Sequence, residues 1–251
     1  MTLWSLFNLG EIAELHQRGT ELLQEAHEKG DLFAAANYGA YVIPISYVAT
    51  GNLAEGERHL REHVKTWSQQ GYHVQHLAAL QARVQIDLFR FDAPAAWNHL
   101  QQEWRDFRLS LLNRLQEERI VMLHLRARCA VAMARKSTGM KRAKFIGIAD
   151  ADAKRLFREH MPWATPLAQL VCATTACLRG DHTTAVELLR SAAVGFDLVD
   201  MNLYAAATRR RIGQLLAGDE GTRLIGAADA WMRGQNINDP ASMTEMHAPG
   251  F

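Results

Sequence analysis

The chain has 251 residues, 48% of them hydrophobic and 22% charged, with a formal net charge of +1. That is the length of one or two domains of ordinary globular composition, and the near-neutral balance excludes a protein that relies on global charge to hold nucleic acid or an anionic membrane. The three cysteines, Cys129, Cys172 and Cys177, form no CxxC pair, which argues against a disulfide framework and for a reducing compartment.

Met1 to Gly10 carries no basic leader, and Glu11 and Glu14 follow at once. No run reaches the roughly 18 apolar residues of a membrane span; Tyr38 to Thr50 comes nearest, punctuated by Pro44 and Asn52. The expected location is the cytoplasm. Trp4, Phe7 and Leu9 read as the last turns of a helix with almost nothing before them, so Met1 is expected to start inside a longer architecture.

Ile12, Leu15, Leu22, Leu23 and Ala26 then repeat at helical spacing up to Lys29. Leu32 to Ala49 predicts a second helix, kinked or ended at Pro44. Leu53 to Gln70 is amphipathic, with Leu53, Leu60, Val64 and Trp67 on one side and Glu55, Arg58, Glu62 and Lys65 on the other. Val74 to Phe91 follows, with Leu77, Leu80, Val84 and Leu88 inward. Asp92 caps the next helix, whose early Pro94 suits a first turn and whose apolar face carries Trp97, Leu100, Trp104 and Phe107. Leu111 to Arg135 predicts one long helix.

Lys136 to Lys144 reads as a basic, flexible loop and the boundary between two halves. Helices are expected over Phe145 to His160, Ala164 to Leu178, Thr183 to Phe196, Leu203 to Leu216, and from Gly218 and Gly221 through Met232. Pro240, Pro249 and Gly250 predict an irregular tail beyond Gly234, partly packed through Ile237, Met243 and Phe251.

One short phrase recurs. Gly30-Asp31, Gly51-Asn52, Phe91-Asp92 and Gly180-Asp181 each close one helix and open the next. After three of them the apolar pattern is nearly the same: Leu53, Gly56 and Leu60; Ala93, Ala96 and Leu100; Thr184, Ala185 and Leu188. The spacing, in steps of roughly 40 residues, predicts stacked helical hairpins. No useful stretch alternates with period two. The expected fold is all-α, a right-handed α-solenoid of TPR-like helical hairpins. Its predicted parts are hairpins over 1–135, the loop 136–144, hairpins over 145–233 and the tail 234–251.

The second half carries further phrases in order: Met161-Pro162-Trp163-Ala164, Leu178-Arg179-Gly180-Asp181, Asp200 to Ala207, Arg209 to Leu215, Gly218-Asp219-Glu220-Gly221, and Ala230-Trp231-Met232. Gln235, Ile237, Pro240, Met243 and Ala248 to Phe251 complete them. In the first half, Leu3 to Leu6 with Gly10-Glu11, and Gln75-His76 with Ala82 to Leu88, fit the same pattern. Together these resemble the C-terminal, TPR-like helical region of large bacterial serine/threonine protein kinases, which carry an N-terminal kinase domain and a central ATPase-like module. The resemblance implies a part in signal transduction, with a protein, a peptide or another domain of a parent kinase as partner. The chain itself has no Gly-rich GxGxxG loop, no His-Arg-Asp catalytic loop, no Asp-Phe-Gly and no GxxxxGK[ST] phosphate cradle. No kinase activity and no cofactor are therefore expected of it.

Three constellations are candidates for chemistry. His59-Leu60-Arg61-Glu62-His63 fits H-x-x-E-H, in which two imidazoles four apart share a Zn²⁺ and the glutamate acts as base; His73 and His76 lie nearby in sequence. The same five residues also read as the solvated face of a repeat helix. Arg209, Arg210 and Arg211, with Arg190 and Arg179, are candidates for binding phosphate or an acidic peptide, although successive residues on a helix face different ways. Arg83 and Asp87 are a charged pair on an apolar helix, either an interhelical lock or part of a groove. Trp4, Trp67, Trp97 and Trp104 are expected in the core rather than as a stacking platform. The sequence thus favours a non-catalytic interaction or sensory module, with a helical zinc hydrolase or a structural spacer as alternatives.

Overall fold

A computed structural model describes residues 3–40, 42–65, 67–68, 70–216 and 218–251, apart from the side chains of Trp4 and Val64. The expectations placed on those two side chains lie outside the described residues. Every secondary-structure element among the described residues is helical. In chain order they are α1 (Leu3–Leu9), α2 (Ile12–Glu28), α3 (Leu32–Ala40), α4 (Val42–Ala49), α5 (Leu53–Lys65), α6 (Val74–Phe89) and α7 (Ala93–Leu109). A short 3₁₀ turn (Leu111–Arg114) leads to α8 (Gln116–Arg135) and α9 (Gly139–Arg158). The chain continues with α10 (Ala164–Leu178), α11 (His182–Asp197), α12 (Asn202–Leu216), α13 (Gly218–Gly234) and α14 (Pro240–His247).

The recurring phrase is a two-part corner. Gly30, Gly51, Phe91 and Gly180 all have positive φ, between 59° and 86°. At each, the next residue's N–H returns to a carbonyl in the helix just left: Asp31 to Ala26 (2.8 Å), Asn52 to Tyr47 (2.9 Å), Asp92 to Asp87 (2.8 Å) and Asp181 to Ala176 (3.0 Å). This is the Schellman closure, which satisfies carbonyls that a helix end leaves open. The side chain of that same residue then opens the next helix. Asp31, Asn52, Asp92 and Asp181 accept from the N–H of Ala34, Glu55, Ala95 and Thr184 at 2.9, 3.3, 3.1 and 3.0 Å. Gly10, Asp200 and Asn236 turn three more corners in the left-handed region with the same backbone closure.

Packing follows chain order from α8 onward, each helix lying on its neighbours up to α13. Helices two apart also touch, α4 with α6, α6 with α8 and α8 with α10, so alternate helices form a second line of contact. The stretch Leu32–Ala49 is long and apolar enough to cross a membrane by length and composition, yet 65% of it is buried inside the protein, as in a core helix. Gly213 and Gly221 let α12 and α13 cross closely: a Cβ on Gly213 would stand 2.7 Å from the carbonyl oxygen of Gly221.

Four expectations are corrected. Helix α5 ends at Lys65, and Trp67, Ser68 and Gln70 are not helical. The long helix predicted from Leu111 starts at Gln116, because Ser110 and Leu115 are extended and Arg119 supplies donors to the carbonyls of Asn113 and Arg114 at 3.3 Å. The basic loop shrinks to Lys136–Thr138; Lys141, Arg142 and Lys144 lie on α9. One apolar cluster holds residues of α1, α6, α8, α9 and α12 together, so the side chains before and after that connection share a core.

The fourth concerns the tail. Residues expected to be irregular form α14, capped by Asp239, which accepts from Ser242 N–H at 3.0 Å, with Pro240 in the first turn. Proline there lacks only an N–H that a helix start leaves unused. Met243, Thr244, Met246 and His247 are fully buried, and α14 lies on α6, α12 and α13.

Candidate functional site

Helix α8 is buried on most sides, so its polar residues are conspicuous. Glu117, Ile120, Val121, His124, Leu125 and Arg128 recur in the three- and four-residue spacing of a helix and share one face. That face lines a pocket of about 720 Å³, a volume within the range of small-ligand sites. Gln81 and Gln85, one turn apart on α6, form another wall. Met161, Pro162 and Trp163 before α10, with Leu167 on it, form a third. Val199, Met201 and Tyr204 come from the start of α12 and the corner before it, and Phe7 and Asn8 from α1.

Polar groups meet deep in this pocket. Arg128 is 4% exposed and His124 2% exposed. Arg128 donates from Nη1 to the carbonyl of Met246, 2.6 Å away on α14, while its Nε finds no partner. No acidic side chain pairs with Arg128 among the described residues. The other buried arginine, Arg211, is paired with Glu245 at 2.5 Å. An unpaired buried charge costs several kcal/mol.

The neighbours of Arg128 do not neutralise it. Burial, then the Arg128 charge and His247, hold His124 well below the usual imidazole range. Burial and the same charge bring His247 down to about 3, against a hydrogen bond from its Nδ1 to the Met243 carbonyl at 3.2 Å. Both imidazoles are therefore neutral at pH 7, and the Nε2 atoms of both lack partners. Tyr204 stands between them, 5.6 Å from the His124 ring and 4.6 Å, edge-on, from that of His247. Burial pushes its phenol upward, so it stays protonated. The pocket floor thus offers one fixed cation, neutral polar groups and apolar walls.

The residues singled out in the sequence go elsewhere. His59, Glu62 and His63 do not converge. His63 Nδ1 donates to the His59 carbonyl at 2.8 Å, and Glu62 faces outward to Arg58 at 2.7 Å. His59 stacks on Tyr47 at 4.9 Å, and its Nε2 lies 3.3 Å from Glu55. No group of three or more His, Cys, Asp or Glu side chains is placed to hold a metal ion among the described residues. His73 and His76 form the capping box of α6.

Arg83 and Asp87 do not pair with each other. Each reaches α7, Arg83 to Glu103 at 3.4 Å and Asp87 to His99 at 2.7 Å. The three consecutive arginines diverge: Arg209 to Asp197, Arg210 to Asp229 at 2.7 Å, and Arg211 to Glu245. Arg179 and Arg190 pair with Asp150 and Glu220. Trp97 packs edge-on against Phe145 at 5.1 Å, and Trp104 lies under the Arg126 guanidinium at 4.1 Å, both against the core.

Sequence reasoning passed over His124, Arg128, Tyr204 and His247. For the first two a signal was present: an imidazole and a guanidinium four apart within a helix otherwise rich in alanine, valine and leucine. No protein-family model matches this chain, and comparison with curated proteins and with solved structures finds no match either.

Proposed function

We propose that this chain is a non-catalytic binding module, a right-handed α-solenoid of TPR-like hairpins that presents its central pocket to a protein or peptide partner. The observation that carries this reading is the pocket itself: five helices, α1, α6, α8, α10 and α12, each give it side chains. The repeated corner geometry and the packing of neighbouring and alternate helices support the solenoid. The resemblance to the C-terminal region of bacterial serine/threonine kinases supports a regulatory or sensory role in a signalling protein of the cytoplasm.

A synthetic library of short peptides, each made with both a free and an amidated C-terminus, tests the reading by fluorescence anisotropy. Some members bind saturably to the native chain. They lose binding to Val121→Trp, which fills the pocket from a half-buried wall position. Absence of saturable binding by any member overturns the proposal, as does binding unaffected by Val121→Trp.

A further inference from the structure

We infer that the pocket selects a carboxylate carried on an apolar body, with the carboxylate seated on Arg128. The inference rests on the binding-module reading and names the chemistry that its pocket recognises.

Arg128 is the starting point. Arg211 and Arg126, the other guanidinium groups held inside the fold near it in chain or space, each have a carboxylate: Glu245 at 2.5 Å and Asp152 at 2.7 Å. Arg128 has a backbone carbonyl and an unpartnered Nε. A buried guanidinium without a counter-charge is stable only if something else supplies one. Its position in the pocket wall puts that missing anion where a ligand enters.

The charge count narrows the class. With His124 neutral and Tyr204 protonated, the lining offers a single positive charge, and neutral His247 behind Tyr204 adds none. A monoanion balances it, whereas a phosphate dianion brings a surplus charge among apolar walls. Glu117 at the rim adds repulsion against a polyanion. A planar carboxylate also matches the guanidinium fork. Ile120, Leu125, Leu167 and Trp163 give the walls hydrocarbon and aromatic surface beside the amides of Gln81 and Gln85, and this mostly apolar lining suits a mostly apolar body. Two sources share this chemistry: the terminal carboxylate of a peptide ending in an apolar residue, and a free apolar acid.

Calorimetric titration of the whole chain separates these cases. The probes are octanoate, octanamide and octyl phosphate, together with a pentapeptide ending in leucine, as free acid and as amide. At least one acid should bind ten times or more tighter than its own amide, the step expected for a charge-assisted hydrogen bond. It should also bind tighter than octyl phosphate. Arg128→Gln removes the preference for acid over amide, and Val121→Trp removes binding altogether, with folding of both variants checked by circular dichroism. If Arg128→Gln fails to fold, the acid and amide pair on the native chain decides alone. Octanoate binding without the peptide acid identifies a free acid, and the reverse identifies a chain end; either supports the inference. Equal binding of acid and amide overturns it, as does tighter binding of octyl phosphate. Peptides bound whatever their end group sink the carboxylate assignment and leave the binding module standing. Carboxylate-dependent binding of octanoate with no peptide bound keeps the assignment and overturns the protein or peptide partner. No binding at all overturns both.

Discussion

Arg211 on α12 and Glu245 on α14 meet at 2.5 Å, with side chains only 6% and 7% exposed. Arg211 also donates from Nε to the Ala248 carbonyl at 2.8 Å and from Nη1 to Gln214 at 2.8 Å. The guanidinium is thus spread over one carboxylate, one carbonyl and one amide, and it ties α14 and the residue that ends it to α12.

Removing half of a buried ion pair strands the other half. Glu245→Gln is expected to cost about 3–5 kcal/mol of stability. Replacing both partners, Arg211→Met with Glu245→Leu, is expected to cost much less, because no buried charge is left uncompensated; Arg135, 3.7 Å from Glu245, is half-exposed to water. Urea denaturation of the two variants checks the order; a double variant weaker than the single one contradicts it.

The depressed imidazole of His247 gives a pH signature. In the unfolded chain histidine titrates near 6.5, and in the folded protein His247 titrates at about 3. Between those values the unfolded chain takes up a proton that the folded chain refuses. The stability that neutral His247 contributes is complete above pH 6.5 and is lost as the pH falls toward 3. Buried Asp87, Glu103, Glu118 and Asp152 are shifted upward and act in the opposite sense. The His247 part therefore appears as a difference from His247→Leu. Between pH 7 and pH 5 the native chain should lose about 2 kcal/mol more than the variant. Urea midpoints at the two pH values measure it.

Phe91 and Asp92 predict changes of opposite sign. Phe91 occupies the left-handed corner, φ 59°, that glycine fills in the three sister corners. Phe91→Gly is expected to gain up to about 1 kcal/mol by relieving the Cβ strain. Asp92→Ala removes the cap on Ala95 and is expected to lose about 1 kcal/mol. Thermal melts of the two variants should move to either side of the native one.

The crossing of α12 and α13 tolerates no side chain. A methyl group on Gly221 would stand 2.5 Å from the carbonyl oxygen of Gly213. Gly221→Ala is expected to destabilise by about 1–3 kcal/mol, whereas Gly226→Ala on the same helix, where a Cβ meets nothing within 4 Å, is expected to be neutral or stabilising. Equal melting temperatures for the two variants would contradict this close approach.

Helices and corners were legible because their chemistry is local. Glycine followed by Asp or Asn marks a helix end and a helix start within two positions, and those three phrases, with Phe91-Asp92 in the same pattern despite its strained corner, closed as read. Pro240 misled because proline signals both a break and a first turn; the nearby Asp239 and Ser242 decided between them. Arg83 and Asp87, one turn apart on an apolar helix, pointed to a lock between helices or to a groove; their partners Glu103 and His99 both sit on α7, which a single helix pattern does not name. The pocket was the least legible feature. His124 and Arg128 meet His247 and Tyr204 only through the approach of α8, α12 and α14, three helices that are not neighbours along the chain.

The position of α14 sets an order for assembly. Its seats on α6 and α12, and the Arg128 that donates to its Met246 carbonyl, all precede it in the chain. Until residues 240–248 leave the ribosome, Arg128 and Arg211 lack these partners and the apolar faces of α6 and α12 lie open. A chain made only as far as α13 is therefore expected to leave those faces uncovered, a surface on which a chaperone can hold.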